Sequence, residues 1–259
     1  MSANNESFSK TIIVAIALCL VCSVVVSSAA VLLKDKQVIN ASLDKKRNIL
    51  IAANLLTPET NVEQAFNNIE QKFVELSSGK FVTLDNPQTF NQRQSAKKID
   101  TSEAIEDDVA RIVRRSKIAS VYLVKDSKNK VKTIILPVHG KGLFSTMYGF
   151  IALEADKRTI VGLKFYDQGE TPGLGGEIEN AKWLSSWTGK KLFDSQGQMA
   201  LKLVKGMAQN EHEIDAISGA TMTTRGVQHM LEYWLSDHGF GVFLSSLDVN
   251  KAITKEGEA

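Results

Sequence analysis

Ile118-Ala-Ser-Val-Tyr-Leu-Val124 and Val131-Lys-Thr-Ile-Ile-Leu-Pro-Val138 flank the polar turn Asp126-Ser-Lys-Asn129. Two runs rich in β-branched residues on either side of such a turn read as an antiparallel hairpin. The pattern recurs with Tyr148–Leu153 and Ile160–Tyr166 around Asp156-Lys-Arg-Thr159. Hairpin-linked strands with helices towards the ends of the chain predict an α+β fold, an antiparallel sheet flanked by helices. Downstream, the sequence predicts a short helix near Ile178–Trp187 and a strand near Leu201–Val204. A final helix is expected from about Thr223 to Ser236, with Val227, Met230, Leu231, Trp234 and Leu235 as its buried stripe.

Towards the amino terminus the reading is helical. Glu103, Glu106, Asp107 and Asp108 precede Arg111, Arg114 and Arg115, the order a helix dipole favours, so a helix is expected after Ser102 with its charges on a solvated face. Asn86 to Lys98 is polar and nearly aperiodic, and reads as a loop. Val62, Ala65, Phe66, Ile69, Phe73 and Leu76 keep helical spacing after the break at Thr57-Pro58. Helical character also runs through Val38, Ile39, Ala41 and Leu43 to Ile49–Leu56, which suggests a stalk.

That stalk follows a membrane anchor. Thr11 to Leu33 contains no Asp, Glu, Lys, Arg or His. As a helix rising about 1.5 Å per residue, this stretch reaches roughly 34 Å, enough to cross a hydrocarbon core of about 30 Å. A cleaved secretory signal ending near Ser28-Ala29-Ala30 is the alternative. Retention is favoured because the run is long for a signal core and only Lys10 precedes it. Lipid attachment at Cys22 fits less well, since Val21 stands where a small residue is expected. Cys19 and Cys22 fall on one helix face, where a metal or redox role is conceivable and a small apolar filler is the commoner use. Lys34, Lys36, Lys45, Lys46 and Arg47 follow the span, and the positive-inside bias alone would put the large domain in the cytoplasm.

Composition narrows the function classes. The chain has 259 residues, a net charge of +2 and 43% apolar residues, which suits one or two globular domains and excludes wholesale disorder. So small a positive excess argues against nucleic-acid binding. Two cysteines cannot staple a disulfide scaffold or supply a four-cysteine metal site, and four scattered histidines give no ligand spacing.

Two segments carry chemistry. Asp215-Ala-Ile-Ser218-Gly219-Ala220-Thr221-Met-Thr223-Thr224 opens the final helix. Free backbone N–H groups and hydroxyls at a helix amino-terminus suit a phosphate. Simple capping by Ser218 or Thr221 is the structural alternative, and caps are the commoner use. The second segment is Gly169-Glu170-Thr171-Pro172-Gly173-Leu174-Gly175-Gly176-Glu177. Gly173, Gly175 and Gly176 permit positive φ and close backbone approach to a ligand, though an ordinary tight connection would look the same. Its spacing fits neither a Rossmann fingerprint nor a P-loop. A weaker third piece, His139-Gly140-Lys141-Gly142-Leu143-Phe144-Ser145, follows a strand and suits a planar anion or a plain β-bulge.

Taken together, these segments resemble a known family. Asp215-x-x-Ser218-Gly219-Ala220-Thr221 resembles a flavinylation motif in which a flavin transferase moves FMN from FAD onto the threonine hydroxyl as a phosphoester. The Glu170–Gly175 and Gly140–Ser145 stretches look like the companion motifs of covalent FMN-binding domains. With the single anchor, they resemble, over essentially the whole chain, the C subunits of sodium-translocating NADH:quinone oxidoreductases. The G subunits of Rnf-type ferredoxin:NAD oxidoreductases are the nearest alternative, and an anchored non-redox binding or structural module is the second.

The resemblance implies a relay of electrons within a multisubunit, sodium-pumping complex, and no complete active site in this chain alone. It implies residues 1–10 as a short cytoplasmic tail, 11–33 as the transmembrane helix, 34–100 as helical stalk and polar loop, and 101–259 as the FMN-binding domain. FMN would be held covalently on Thr221, its phosphate held by the helix amino-terminus with Ser218, Thr223 and Thr224; Gly219 and Ala220 would complete the attachment motif, with Asp215 and Gly219 serving recognition by the transferase. The backbone of Thr171 to Gly175, Gly173 included, would lie against the ring system, Leu143, Phe144 and Leu174 would supply its apolar wall, Glu170 would belong to the same cofactor-binding stretch, and Lys205 would stabilise charge on reduced flavin. Other membrane subunits and the flavin transferase are the implied partners. The location implied is the bacterial inner membrane, single-pass, with the flavin domain periplasmic, against the charge bias.

Overall fold

The computed structural model describes residues 8–249 and divides into two units, Met1–Lys45 and Lys46–Ala259. The first unit is helix throughout its described residues. Helix α1 (Phe8–Ala52) is continuous and contains an 18-residue window of mean hydropathy 2.8 with none of it buried. Among the described residues it is the one helix long and apolar enough to cross a membrane, and it contains the expected span. Cys19 and Cys22 are both exposed on it. Residues 1–7 of the expected tail lie outside the described residues.

The second unit begins with the last turns of α1, where Ile49, Leu50 and Ala52 are buried. Next come helix α2 (Val62–Phe66), strands β1 (Ile69–Glu75) and β2 (Lys80–Val82), and helix α3 (Gln92–Lys97). Short strands β3 (Ser102–Ala104) and β4 (Arg114–Ser116) precede the long strands β5 (Ile118–Lys125), β6 (Val131–Lys141), β7 (Thr146–Glu154) and β8 (Ile160–Asp167). A 3₁₀ turn over Gly175–Glu179 leads into helix α4 (Ala181–Ser185), strands β9 (Lys202–Val204) and β10 (Glu213–Asp215), and helices α5 (Thr221–Trp234) and α6 (Gly241–Ser246).

The main sheet runs β2-β1-β5-β6-β7-β8. Every neighbouring pair in it is antiparallel, as the two hairpins predict. Both of its faces are covered. Val121, Leu123, Ile134, Leu136, Ile151 and Phe165 pack with Val227, Met230, Leu231 and Trp234 of α5. Their strand neighbours Tyr122, Val124, Ile135, Phe150 and Ala152 pack with Ile49, Leu50, Ala52 and α2. Period-two alternation therefore separates two apolar layers rather than an inside from an outside. The expected stripe of α5 is buried in full, and the Trp234 indole N–H donates to the His139 carbonyl at 2.7 Å, tying the helix to β6.

Two expected helices give way to strands. Over 62–76 only Val62–Phe66 is helical, and β1 then pairs with β5 across seven residues. Ile69 and Phe73 are four apart, a spacing that keeps one face in a strand as well as in a helix. After Ser102 there is a β3–β4 ribbon instead of a helix: Glu103 lies opposite Arg115 and pairs with it at 2.9 Å, and the Asp108 carboxylate accepts the N–H groups of Ile112 and Val113. The charge order reflects a cross-strand pair and a turn, not a helix dipole. Within the expected loop, Asn91 accepts the Gln94 N–H and caps α3. The sheet thus takes strands β1 and β2 from the stretch expected to be stalk, and the second compact unit starts at Lys46.

Candidate functional site

Three segments distant in sequence meet at the amino-terminus of α5. The first is the β6–β7 turn, closed by a bond from the Gly142 N–H to the Ser145 carbonyl at 2.8 Å. The second leaves β8 and carries Glu170. The third is the β10–α5 connection, Ala216–Ala220.

Glu170 joins the first two segments to the helix. One carboxylate oxygen accepts the Phe144 N–H at 3.0 Å and the Ser145 N–H at 2.9 Å, with the Ser145 hydroxyl at 3.1 Å. The other accepts the Leu143 N–H at 3.0 Å and the Thr223 hydroxyl at 2.6 Å. The residue is only 5% exposed. Burial, the largest single influence, opposes its ionisation; the Thr223 hydroxyl and the N–H groups of Ser145, Leu143 and Phe144 outweigh it and hold its pKa below the ordinary carboxylate value. Glu170 is therefore an internal acceptor whose carboxylate is saturated by its own chain. The Thr223 hydroxyl is likewise spent inside the protein.

The glycine-rich segment wraps this knot. Of its candidate glycines only Gly173 has a positive φ, +75°. Gly175 is needed for close approach instead: a Cβ there would meet the Thr223 hydroxyl at 2.5 Å and Glu170 at 3.0 Å. Thr171, Gly173 and Leu174 are exposed, and the Leu174 side chain reaches Gly219, bringing the two motifs into contact. Leu143 and Phe144 project into solvent although the Glu170 carboxylate holds their backbone.

The first turn of α5 has no side-chain cap. Its N-cap is Ala220, so neither Ser218 nor Thr221 performs the capping that the sequence left open. The Thr224 hydroxyl accepts the Ile217 N–H at 3.2 Å. Thr221 is the first helical residue, exposed, and its hydroxyl bonds to nothing among the described residues. It borders a cleft of about 710 Å³ lined also by Leu203, Lys205, Ser218, Gly219, Thr224 and Arg225. Ala220 itself is buried behind the cleft wall. An exposed hydroxyl, a first turn without a side-chain acceptor and two cations beside one carboxylate, Asp215, fit a phosphorylated ring cofactor.

The structure thus groups the expected residues in two sets. Leu143, Phe144, Glu170, Gly175 and Thr223 form the knot, and Lys205, Ser218, Gly219, Thr221 and Thr224 line the cleft, with Leu174 bridging. Sequence reasoning missed Ser145, whose hydroxyl also accepts the Gly169 N–H at 2.7 Å, and Arg225. Arg225 could have been found from its spacing, one helical turn after Thr221. Among the described residues no group of three or more His, Cys, Asp or Glu could hold a metal ion.

The FMN-binding domain family matches residues 142–236, which span the knot and the cleft. The C subunit of the Na(+)-translocating NADH-quinone reductase of Yersinia pestis is 47% identical over 252 residues, covering 94% of each chain. The Vibrio alginolyticus protein of the same name is 48% identical, over 95% of this chain and 98% of its own. The crystal structure of Shewanella oneidensis NqrC superimposes with a TM-score of 0.75 at 37% identity, covering 79% of this chain and 97% of that one. With near full-length identity to such relatives, the chain belongs to the NqrC family, the C subunits of Na(+)-translocating NADH-quinone reductases.

Proposed function

We propose that this chain is the membrane-anchored flavoprotein subunit of a sodium-pumping NADH:quinone oxidoreductase, carrying FMN as a phosphoester on Thr221. The observation that carries the reading is the state of Thr221: an exposed, unbonded hydroxyl on an uncapped helical turn, bordering a cleft with two cations. A capping module would have spent that hydroxyl or that of Ser218 on the helix. The bound flavin supplies electron storage and release, and the chain supplies attachment and position. The first turn of α5 and Ser218 receive the phosphate, Leu143, Phe144 and Leu174 give the ring an apolar surround, and Lys205 offsets charge gained on reduction. Thr171 and Gly173 present backbone on the same exposed loop. Glu170, Gly175 and Thr223 shape this surround from behind.

A flavin transferase installs the group, reading Asp215 to Thr221, and the other subunits of the complex donate and accept the electrons. The domain stands on the periplasmic side of the inner membrane, where a covalent link keeps the cofactor from being lost to solvent. The Lys and Arg cluster after the span opposes this orientation, and partner subunits fix it. Coexpression with a flavin transferase tests attachment by in-gel fluorescence and intact mass. Wild type should gain one FMN and Thr221→Val none; a dark wild-type band beside a fluorescent control would overturn the assignment. Protease treatment of intact spheroplasts tests orientation, and a fully protected domain would contradict the periplasmic placement.

A further inference from the structure

The cleft beside Thr221 contains one cation that the attachment motif does not account for. Arg225 is exposed, lines the same cleft as Thr221, and has neither ion pair nor hydrogen bond among the described residues. It stands four residues after Thr221 on α5, so the two share a helix face about 6 Å apart along the axis. Long side chains on a helix lean back towards its amino-terminus, a direction that puts the turn beginning with Thr221 within reach of the Arg225 guanidinium.

Two polar residues of the wall are already committed. Gln228, one turn further on, accepts the Leu203 N–H and donates to the Leu201 carbonyl and to Glu232, fixing the far side of the cleft. Asp215, the one carboxylate residue among the lining, accepts the Ala208 N–H. Lys205 and Arg225 together therefore exceed the acidic lining by one charge, and a phosphodiester carries one negative charge.

We infer that Arg225 is a positioning residue for the phosphoryl group on Thr221. Its planar fork binds the two non-bridging oxygens and draws the phosphoryl into the cleft, on the Lys205 side of the helix turn. The inference rests on the attachment reading above and adds a residue and a direction to it.

The test uses the full chain in detergent, with and without transferase loading, as wild type, Arg225→Lys and Arg225→Gln. Two quantities are read: the gain in Tm on loading, and the ³¹P resonance of the phosphoryl group. Loading should raise the Tm of wild type. Arg225→Gln should lose at least half of that gain and shift the resonance, and Arg225→Lys should recover most of the gain. The difference between wild type and Arg225→Gln should shrink in about 1 M salt, where the screening length is near 3 Å. Comparing each variant with its own unloaded form removes any general effect on folding. An unchanged gain and an unshifted resonance in Arg225→Gln would overturn this inference alone. A wild type that takes up no flavin would overturn the attachment reading and this inference with it.

Discussion

The Thr223 hydroxyl donates to the Glu170 carboxylate at 2.6 Å across 53 positions of sequence, and it joins the first turn of α5 to the β6–β7 turn through a single side chain. Glu170→Ala would leave three backbone N–H groups and two hydroxyls without their acceptor. Each orphaned donor costs about 1–3 kcal/mol where water cannot replace the bond, so a loss of about 3 kcal/mol or more is expected. Glu170→Gln keeps the shape and one acceptor oxygen, and should lose about half as much. Because the folded pKa is depressed, the contribution of Glu170 is present above the unfolded value of 4.5 and is lost as pH falls through the folded value. Thermal melting of the three proteins between pH 7 and pH 3 checks the order and the convergence at low pH.

Gly175→Ala should destabilise by about 1–3 kcal/mol, because the new methyl group would press on both partners of that bond. Gly173→Ala is the contrast: a Cβ there meets nothing within 4 Å, and only its φ of +75° is strained, at a cost of about 1 kcal/mol. Tm differences and flavin loading separate the two. Gly175→Ala should lower both, and Gly173→Ala should lower Tm slightly with loading retained.

His139 is stacked on Tyr148 at 5.3 Å and lies 4.9 Å from Trp234. Burial first, and then the nearby Arg93 charge, push its pKa down to about 4. The unfolded chain binds the proton near pH 6.5 and the folded one does not, so the residue contributes its full share above pH 6.5. Stability then falls as pH drops from 6.5 to about 4, by up to about 1.4 kcal/mol per pH unit. His139→Gln should flatten that part of the stability profile relative to wild type, as read from Tm at pH 7, 6 and 5.

Arg93 lies over the Tyr148 ring at 3.4 Å and pairs with Asp167 at 2.6 Å, where β8 leaves the sheet for the glycine-rich segment. More than a third of each charged side chain is exposed, so solvent screens the ion pair, which contributes well under 1 kcal/mol. Stacking should dominate. Arg93→Ala is expected to cost about 1–2 kcal/mol, and Arg93→Lys to recover less than half, since an ammonium lacks the planar face. Asp167→Asn should be nearly silent, and melting curves of the three variants test that ranking.

The sequence made strands β5 to β8 legible because both hairpins advertise themselves twice, in β-branched runs and in polar turns. Helix α5 was legible through its apolar stripe. Strand β1 was hidden by the four-residue spacing of Ile69 and Phe73, which satisfies both periods. The β3–β4 ribbon was hidden because Glu103 and Arg115 satisfy each other across strands as well as they would have suited a helix dipole. At the site, Thr221 and its neighbours were singled out by a local motif. The internal role of Glu170 was not, since its partners at Leu143 to Ser145 and at Thr223 come within reach only once β8 is paired and α5 is docked.

The convergence on Glu170 also has a signature in hydrogen exchange. The amides of Leu143, Phe144 and Ser145 lie on a solvent-facing turn, where rapid exchange would be the ordinary expectation, yet all three donate to one buried carboxylate. They should exchange together, at one rate set by withdrawal of Glu170 from Thr223, so that the turn at the mouth of the site behaves as a single opening unit whose lifetime is written in three neighbouring amides.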